Sequence, residues 1–544
     1  MWDFRQGRNQ VTTGTPVCII GAGPIGMTGA LLLSRLGVRT LLVERRGELN
    51  THPRSRFVDT NTMELMRELG LEKEVEDTGL GPDWTECNRW FDALTGTEYA
   101  RIPCPTFHTV PRDTSPVMPV MTCQDYVEKV LLAKIRRDPN IDVRFHTVAS
   151  GLRQDESGTR LRLRDARTDG DEEVAAEYAI GADGPGSSTR AAIDTELDAE
   201  PRPVNMQDVI FDADLSEYVR ERKAPLLYAN PGPRKMMVFQ PLDGVRRWRC
   251  QMQVPEPRLI SERAVSERIR AGLGAAAAVP LEINSMSLWQ PTPGCTTRLS
   301  RGRIFLAGDA AHVAIPTGGM GNNTGFSGIR NLAWKLAYVL RGISPPAILE
   351  TYEEEHRPLA RQRIDAGVRI YEAMAVLMRA YMRGEDLAEA IEATRLYGNY
   401  DGLLMGCELR SGLLAVDDGD PPLVDHPVID FAPVVRSGRR APHLWLDDAR
   451  KTSVLDAFGL DYTLLLGAGV DGGPWDDRVE RLSAGGFPIK ARALPRLGGD
   501  SHYSNDGVVL VRPDGVIADH WRDAEVPAGE KSARLSRLLP RAGS

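Results

Sequence analysis

The sequence predicts an α/β protein in which a parallel sheet covered by helices is interrupted by an antiparallel sheet and followed by a smaller α/β region. Residues 16–20 and 40–43 are runs of consecutive apolar residues on either side of a glycine turn and a helical stretch, which is typical of parallel strands covered on both faces. Residues 201–295 contain short alternating segments split by proline and glycine, which is typical of an antiparallel sheet. Residues 416–441 are rich in Asp and Pro and predict a linker, after which a new α/β pattern begins.

The N-terminal unit is predicted to alternate strand, helix and strand. The strand at 16–20 ends in a glycine-rich turn, and the following helix is predicted over 27–36 because Gly37 suits the left-handed position after a helix. The strand at 40–43 then ends at Glu44. Further helices are predicted at 62–69 and 123–136.

The later regions give a coarser pattern. Segments 209–213, 235–240 and 247–254 alternate apolar and polar residues, so we expect an antiparallel sheet with one exposed face. A strand at 304–307 and a glycine-rich loop follow, and helical stretches continue to about residue 395. The C-terminal region is predicted to hold strands near 462–466 and 507–511 and a turn at 513–515.

Composition excludes several classes of protein. The chain has 544 residues, 42% hydrophobic and 26% charged, and at roughly 100–200 residues per domain it is expected to form about three domains. It has no run of the roughly 18 apolar residues that a membrane-spanning helix needs, and its first residues lack the apolar core of a secretory signal. We therefore expect a cytoplasmic protein with a short disordered tail over residues 1–14. The net charge of −8 argues against a nucleic-acid partner.

Neither a disulfide framework nor a metal site is indicated. The seven cysteines are dispersed and contain no CxxC pair, which favours free thiols in a reducing compartment. Glu353, Glu355 and His356 are the nearest approach to a metal pattern, but we interpret this run as a solvated helix face.

Gly21-x-Gly23-x-x-Gly26 predicts a dinucleotide site. The first glycine permits a tight turn, the second lets the backbone approach a pyrophosphate, and the third packs the helix on the strand, so that the helix N-terminus faces the phosphates. Glu44 lies 18 residues after Gly26, where an acid can accept hydrogen bonds from a ribose 2′-OH. The motif alone leaves FAD and NAD open.

Two later motifs favour FAD and carry a family resemblance. Residues 178–190, YAIGADGPGSSTR, resemble the "DG" fingerprint of flavoprotein hydroxylases, and residues 303–325, which contain GDAAH and PTGGMGNNTG, resemble their "GD" fingerprint. Asp309 follows a strand, where its carboxylate can accept a hydrogen bond from the ribityl chain. The glycines of the second motif allow backbone to lie against a flat ring, and a helix beginning near Gly325 would direct its positive end at the flavin.

Nearly the whole chain resembles the single-component FAD-dependent aromatic hydroxylases, the group that contains para-hydroxybenzoate and phenol hydroxylases. The resemblance is closer to the branch with a C-terminal thioredoxin-like domain that acts on polyketides and other aromatic natural products, including those of antibiotic biosynthesis. It implies a glutathione-reductase-like FAD-binding Rossmann domain interrupted by an antiparallel-sheet substrate domain. The expected boundaries are 15–200 and 296–415 for the FAD domain, 201–295 for the substrate domain with a contribution from 85–120, and 425–544 for the thioredoxin-like domain.

The motifs and the resemblance together give a set of expected cofactor-binding residues. Gln124 corresponds to a flavin-contacting glutamine at a helix start, Val148 to a position where backbone meets adenine, and Asp183 to a position near the cofactor and the nicotinamide path. The expected set is Gly21, Gly23, Pro24, Ile25, Gly26, Glu44, Arg45, Arg54, Gln124, Val148, Asp183, Asp309, Pro316, Gly319, Gly321 and Asn322. Asn61, Phe57 and Gly186 depart from residues common in the family, which affects the expected substrate and nicotinamide contacts and leaves FAD binding unaffected.

The resemblance implies an NAD(P)H- and O2-dependent monooxygenase that hydroxylates an aromatic substrate through a flavin C4a-hydroperoxide. NADPH or NADH would bind transiently, because no second dinucleotide fingerprint is present. Two alternatives stay open. One is an epoxidase or Baeyer–Villiger-type oxygenase, and the other is a flavin-bound protein that sequesters a reactive intermediate. No catalytic base is identified, and a monomer or a homo-oligomer, with a dimer favoured, is expected.

The substrate pocket is expected between the flavin and the antiparallel sheet. Its candidate segments contain Tyr228, Met237, Phe239, Trp248 and Cys250, although each of these side chains could instead pack the sheet. Because paired cations are scarce in these strands, the sequence favours a neutral polycyclic substrate over a benzoate. The C-terminal region contains no cysteine after Cys407, so we expect it to be redox-silent.

Overall fold

The structure is a computed structural model. It describes residues 14–108, 113–199, 201–202, 204–232, 235–395, 399–415, 423–498, 501–521 and 538–539. Residues 1–13 of the predicted N-terminal tail, the first seven residues of the predicted linker and most of the last 23 residues lie outside this part of the chain.

The first sheet has eight strands and a parallel centre. Its main strand order is β18-β19-β10-β1-β2-β7, and β8 and β9 extend β10 as antiparallel partners. The bounds are β1 Thr15–Ile20, β2 Thr40–Val43, β7 Ile141–Arg144, β8 Thr147–Asp155, β9 Gly158–Asp165, β10 Asp171–Gly181, β18 Ser300–Arg301 and β19 Ile304–Leu306. β1 lies between β10 and β2 and is parallel to both. The predicted strands at 16–20, 40–43 and 304–307 are confirmed.

Helices cover this sheet and build the walls around it. In chain order they are α1 Pro24–Arg35, α2 Thr60–Glu68, α3 Glu72–Glu76, α4 Gln124–Ile135, α5 Ser188–Ala192, α8 Met320–Leu340, α9 Glu350–Arg383, α10 Ala388–Arg395 and α11 Asp401–Met405. Gly37 has a φ of 79°, which only glycine adopts readily, and it ends α1 as expected. α1 and α8 share one core with β1 and β10, so the glycine turn and the second motif are held by a common packed layer.

The second sheet has seven strands in the order β16-β12-β15-β14-β13-β4-β5. The bounds are β4 Cys87–Phe91, β5 Glu98–Pro103, α6 Ser216–Val219, β12 Asn205–Asp212, β13 Leu227–Ala229, β14 Met237–Pro241, β15 Arg247–Val254, α7 Glu262–Leu273 and β16 Glu282–Trp289. α7 packs on one face through Val265 and Ile269. The expectation of an exposed second face is wrong, because Leu377 of α9 and Ala390 of α10 pack against Trp90 and Tyr228 there. The side chains that alternate along the strands of this sheet therefore point to two faces that are both covered.

The C-terminal region forms a four-stranded sheet in the order β22-β21-β23-β24 with one helix. The bounds are β21 Tyr462–Leu466, α12 Gly473–Ala484, β22 Ile489–Ala493, β23 Val508–Val511 and β24 Ile517–Trp521. β21 is parallel to β22 and antiparallel to β23. The predicted turn at 513–515 lies between β23 and β24, and Gly515 has a φ of 79°.

A buried ionic cluster fastens this C-terminal region to α8 and α9. Glu355 accepts hydrogen bonds from Arg512 at 2.6 and 2.9 Å and from Lys335 at 3.0 Å, and all three side chains are inaccessible to water. Arg512 also pairs with Asp514. The interpretation of Glu355 and His356 as a solvated helix face is therefore wrong. The run of acids looks solvated in sequence, but its cationic partners come from distant segments.

Five short strands complete the described structure. β3 Phe57–Val58 pairs with β6 Val120–Met121, and β11 Leu197–Ala199, β17 Gly294–Thr296 and β20 His312–Val313 form a three-stranded sheet. None of the described helices combines the length and the apolar character needed to cross a membrane. Six of the seven cysteines are buried, and none of the seven is in a disulfide.

Candidate functional site

The glycine turn between β1 and α1 is packed so tightly that two of its glycines cannot be replaced. A Cβ built on Gly21, whose φ is 106°, would lie 2.3 Å from the Ala182 carbonyl oxygen, and one on Gly26 would lie 2.0 Å from the Gly21 oxygen. A Cβ on Gly23 would meet no atom within 4 Å. The turn is therefore closed against the protein and open above Gly23, at the N-terminus of α1, where unpaired N–H groups favour an anion.

Glu44 is held beside this turn by backbone donors. Its carboxylate accepts hydrogen bonds from the Ala22 and Arg46 amides, each at 3.0 Å. Thr147 N–H donates to the Glu44 carbonyl at 2.8 Å, which brings Val148 next to the same acid. Arg45 is exposed. The end of β2 therefore presents a fixed carboxylate next to the glycine turn.

The first later motif forms a capped turn at the end of β10. Asp183 accepts hydrogen bonds from Ser187, Ser188 and Thr189, including the Thr189 amide at 3.0 Å. This arrangement fixes the start of α5. Asp183 thus lies next to the glycine turn through Ala182, but its carboxylate oxygens are already engaged by local donors.

The second motif places Asp309 in a short turn after β19. Burial raises the pKa of Asp309 and the nearby Arg54 guanidinium lowers it. Ile25 of α1 contacts this turn, because a Cβ on Gly308 would lie 3.0 Å from its Cγ1. Ile25 also limits Gly325, whose Cβ would lie 2.8 Å from Ile25 Cδ1. The glycine turn and the Asp309 turn are therefore in direct contact.

α8 begins five residues earlier than expected. The sequence placed its start near Gly325, but the helix starts at Met320, with Gly318 and Gly319 at φ values of 82° and 63° in the loop before it. Gly325 lies inside the helix and serves the close packing on Ile25. The polar and glycine-rich residues of the first turn hid the true start, since they weaken helix propensity.

The first turn of α8 contacts the start of α4. Asn322 donates to Gln124 Oε1 at 3.5 Å, and Gln124 donates to Glu128 at 2.7 Å. Burial raises the pKa of Glu128 to about 7. Gly321 lies in the same turn of α8, and Pro316 is exposed in the loop before it.

Asn323 is an organising residue that sequence reasoning missed. It is fully buried, and its amide donates to the carbonyls of Phe57 and Gly319 at 3.0 and 2.8 Å. Its oxygen accepts from Asp59 N–H at 3.0 Å and Thr62 Oγ at 2.8 Å. The only signal in the sequence was that Asn323 follows another asparagine, Asn322, within a glycine-rich motif. The side chain fixes the loop of Gly318 and Gly319 against β3 and α2.

The sheet face opposite α7 and the segments around β3 carry two packed pairs of aromatic side chains, which together are called the aromatic chamber. Trp90 stacks on Tyr228 with ring centres 4.3 Å apart, and Tyr228 OH contacts Met374 Sδ at 3.8 Å. Phe57 meets Phe107 edge to face at 5.2 Å. These side chains come from β4, β13, α9, β3 and the segment after β5. The chamber is bounded by the same Phe57 that contacts Gly319.

Only one of the five candidate pocket residues lies on this face. Tyr228 does, whereas Met237, Phe239, Trp248 and Cys250 pack with α7 on the opposite face. The strand alternation was correct, but the sequence could not show which face meets the helical walls.

The expected scarcity of paired cations on this sheet is wrong. Arg249 forms a buried ion pair with Asp208, which also accepts hydrogen bonds from Gln251 and Trp289 at 3.0 Å. Arg56 is buried and donates to the Pro225 carbonyl at 2.9 Å and to Gln240 at 3.2 Å. Arg249 was visible in the sequence, but Arg56 comes from the loop before β3 and no pattern links it to the sheet.

These features fit FAD. The open space above Gly23 fits a pyrophosphate, and Glu44 fits the ribose hydroxyls. The Asp309 carboxylate is half-buried and has no hydrogen-bond donor among the described residues. The loop of Gly318 and Gly319 presents backbone at the N-terminus of α8, next to the aromatic chamber. The described residues contain no cluster of three or more His, Cys, Asp or Glu side chains suited to a metal ion.

Comparison with known proteins agrees with this geometry. The family described as FAD binding domain matches residues 14–367, and the family described as aromatic-ring hydroxylase, C-terminal, matches residues 435–542. A 2,4-dichlorophenol 6-monooxygenase from Delftia acidovorans is 30% identical over 96% of this chain and 98% of its own. Aklavinone 12-hydroxylase RdmE from Streptomyces purpurascens is 32% identical over 96% of this chain and 98% of its own.

A solved structure extends the similarity to three dimensions. The flavin-dependent monooxygenase PieE, in complex with FAD and substrate, superposes with a TM-score of 0.86 at 29% identity and covers 97% of this chain and 98% of its own. The likeness therefore includes the glycine turn, both sheets and the C-terminal region.

Proposed function

The chain belongs to the FAD-dependent aromatic-ring hydroxylases, and from this premise we propose that it hydroxylates a phenolic or polycyclic aromatic compound of natural-product type with NAD(P)H and O2. The observation that carries the proposal is the meeting of the glycine turn, the Asp309 turn and the start of α8 beside an aromatic chamber. Relatives of similar length are named for two different substrates, a dichlorophenol and aklavinone. The substrate class proposed for this chain is therefore argued from its own aromatic chamber.

The proposed FAD-binding residues fall into three groups along the cofactor. Gly21, Gly23, Pro24, Ile25 and Gly26 would face the pyrophosphate, and Glu44, Arg45 and Val148 the adenosine. Asp183, Asp309, Arg54, Gln124, Pro316, Gly319, Gly321 and Asn322 would surround the ribityl chain and the flavin ring. FAD when bound supplies the redox chemistry and the activation of oxygen.

The protein's own contribution is positioning and exclusion of water. The α1 N-terminus stabilises the phosphates, and the α8 N-terminus lowers the energy of negative charge on the ring nearest to it. The Asn323 network fixes the loop of Gly318 and Gly319 so that this backbone needs no rearrangement. Trp90, Tyr228 and Phe107 form an apolar chamber that holds an aromatic ring and keeps water away from the reacting atoms.

The chamber supports an aromatic substrate that carries hydrogen-bonding groups. Its aromatic side chains offer flat surfaces for ring packing. Gln240 and Gln251 bring amide groups to the same sheet face, and they hydrogen-bond to each other at 2.7 Å. Arg249 and Asp208 neutralise each other, so this pair does not favour a charged substrate. A neutral phenolic or quinonoid polycycle therefore stays the proposed substrate.

The remaining assignments are proposals about organisation. We place the FAD domain at 15–200 and 296–415, the substrate domain at 201–295 with 85–120, and a thioredoxin-like domain at 425–544. The parallel centre of the first sheet supports a Rossmann-type FAD domain, and β4 and β5 extend the second sheet. The strand order and directions of the last sheet support the thioredoxin-like assignment. A dimer and a cytoplasmic location complete the proposal.

The test follows NADPH absorbance and product mass while phenolic and quinonoid polycycles are screened. We expect slow NADPH oxidation alone and an acceleration of at least about tenfold, roughly 1.4 kcal/mol of barrier, with a cognate compound. The product should gain one oxygen atom, labelled from O2. Rapid oxidation that no compound changes, or binding without oxygen gain, would instead favour sequestration. Epoxidation or ester formation would be identified from the product.

A matched pair of variants ties the test to the chamber. Phe107→Ala removes a chamber wall and should raise the substrate KM while leaving FAD content unchanged. Phe145→Ala removes a half-buried phenylalanine that packs on the parallel-sheet core and should leave the KM unchanged. Equal KM values in the two variants would mean that the substrate binds elsewhere.

A further inference from the structure

A cavity lies at the junction of α2, α8 and α9 with α11 and the C-terminal region. Its volume is about 100 Å³. Since roughly 10–15 Å³ of such volume holds one water, it can hold several waters or one small ion with waters. Leu404 marks its boundary: the Leu404 side chain packs with Phe57 of the chamber, whereas its carbonyl accepts a hydrogen bond from Arg363 at 3.1 Å.

Three guanidinium groups line the cavity, and each has a buried nitrogen without a hydrogen-bond partner. They are Arg330, Arg363 and Arg440, and the unpartnered atoms are Arg330 Nε, Arg363 Nε and Arg440 Nη1. Buried donors of this kind are rare, because each unmade hydrogen bond costs free energy. Three arginines with such a nitrogen line one empty space, which favours a hydrogen-bond acceptor inside it.

Arg363 is the cation whose charge is not matched. Arg330 pairs with Glu68 at 2.7 Å, and Arg440 pairs with Glu64 through a 2.8 Å hydrogen bond. Arg363 is 2% exposed, and among the described residues it donates only to the neutral Ser327 hydroxyl and the Leu404 carbonyl. No carboxylate of the described residues lies within 4 Å of it.

The other charged and titratable groups around the cavity do not supply the missing anion. The Asp514 carboxylate lines the cavity but is already paired with Arg512. The Glu355 carboxylate is likewise already paired, with Lys335. Asp59 interacts with Arg363, but burial raises the pKa of this carboxyl more than Arg363 lowers it. His356 also lines the cavity, and burial and Arg363 lower its pKa, which keeps it uncharged.

From this geometry we propose that the cavity binds a small inorganic oxoanion, of which phosphate is the representative, between Arg363, Arg330 and Arg440. Guanidinium groups present paired N–H donors that match the oxygens of such an anion. The bound anion would join α8 and α9 to the C-terminal region, since Arg440 precedes β21 and Arg363 lies on α9. The cavity shares no lining residue with the proposed FAD-binding set, and the proposal does not depend on the reaction.

The test is calorimetric titration of the FAD-loaded protein with inorganic phosphate at constant ionic strength, with chloride as the background anion. We expect saturable binding of one phosphate per chain. Arg363→Met should weaken it by roughly tenfold or more, the effect of a lost charged hydrogen bond. Arg263→Met, which removes an arginine whose side chain is 89% exposed on α7, should leave it unchanged.

A second variant covers the case in which Arg363→Met fails to fold. Leu359→Phe keeps all three guanidinium groups and extends an apolar ring into the cavity, so it should abolish the phosphate site while the protein retains FAD. Absence of saturable binding in the FAD-loaded wild type would overturn the proposal. Equal phosphate affinities in the wild type and in either cavity variant would overturn it as well.

Discussion

Glu128 offers the sharpest test of the electrostatics beside the flavin site. It lies on α4 one turn after Gln124 and is 3% exposed, and burial raises its pKa from 4.5 to about 7. Gln124 and Arg46 favour its ionised form, whereas Asp125 and Glu44 oppose it. Below pH 4.5 the carboxyl is protonated in the folded and the unfolded chain. As pH rises toward 7, the unfolded chain ionises first, so the folded state loses stability.

The magnitude follows from the size of the shift. A difference of about 2.5 pH units at about 1.36 kcal/mol per unit gives about 3 kcal/mol of destabilisation above pH 7. Glu128→Gln removes this titration and keeps an oxygen that accepts from Gln124. The variant should be more stable than the wild type by about 1 kcal/mol at pH 5 and by about 3 kcal/mol at pH 8.5.

Urea denaturation followed by tryptophan fluorescence from pH 5 to 8.5 measures this difference. Glu74→Gln is the control, because Glu74 is exposed on α3 and water solvates its carboxylate in both states. FAD affinity provides a second readout, since an ionised Glu128 adds negative charge next to Gln124, which is proposed to face the ribityl chain and the flavin ring. A stability difference between Glu128→Gln and the wild type that does not change with pH would refute the reasoning.

Three further predictions follow from other parts of the structure. Asp309→Ala should weaken FAD binding by about 1.5–3 kcal/mol, the value of a charged hydrogen bond. The control Asp477→Ala, on the exposed side of α12, should leave FAD binding unchanged. Unchanged FAD affinity of Asp309→Ala in a fluorescence titration would contradict the assignment. Arg512→Met should lower the free energy of unfolding by about 3–5 kcal/mol, because it leaves Glu355 charged and buried, and Arg492→Met on the exposed end of β22 serves as its control in the same denaturation assay. The purified full-length protein should show no insulin disulfide reduction above a no-enzyme control, because residues after Cys407 contain no thiol.

The parts of the fold that could be predicted from sequence are those fixed by local backbone chemistry. Gly21 and Gly26 are required by contacts within a short segment, and the apolar runs of β1 and β2 reflect burial on both faces of a parallel strand. The position of Asp309 directly after a strand was likewise predicted from its motif, and it follows β19. In each case the signal and its physical cause lie close together in the chain.

The parts that could not be predicted depend on partners far along the chain. Glu355 appeared solvated because Lys335 and Arg512 are 20 and 157 residues away. Met237 and Trp248 could not be assigned to a face, because period-two alternation does not state which side meets α7. Arg56 contributes to a sheet whose strands begin elsewhere in the sequence.

α9 connects the C-terminal region, which contains no cysteine after Cys407, with both parts of the proposed site. Near its start, Glu355 binds Arg512 of the C-terminal sheet, and the adjacent His356 ring nitrogen lies 3.3 Å from that of His312, three residues after Asp309. Nearer its end, Leu377 packs on the sheet of the chamber. One continuous helix therefore contacts the C-terminal region, the proposed flavin turn and the substrate side. Because breaking a buried ion pair is strongly destabilising, the Glu355–Arg512 pair holds the start of α9 against the C-terminal sheet.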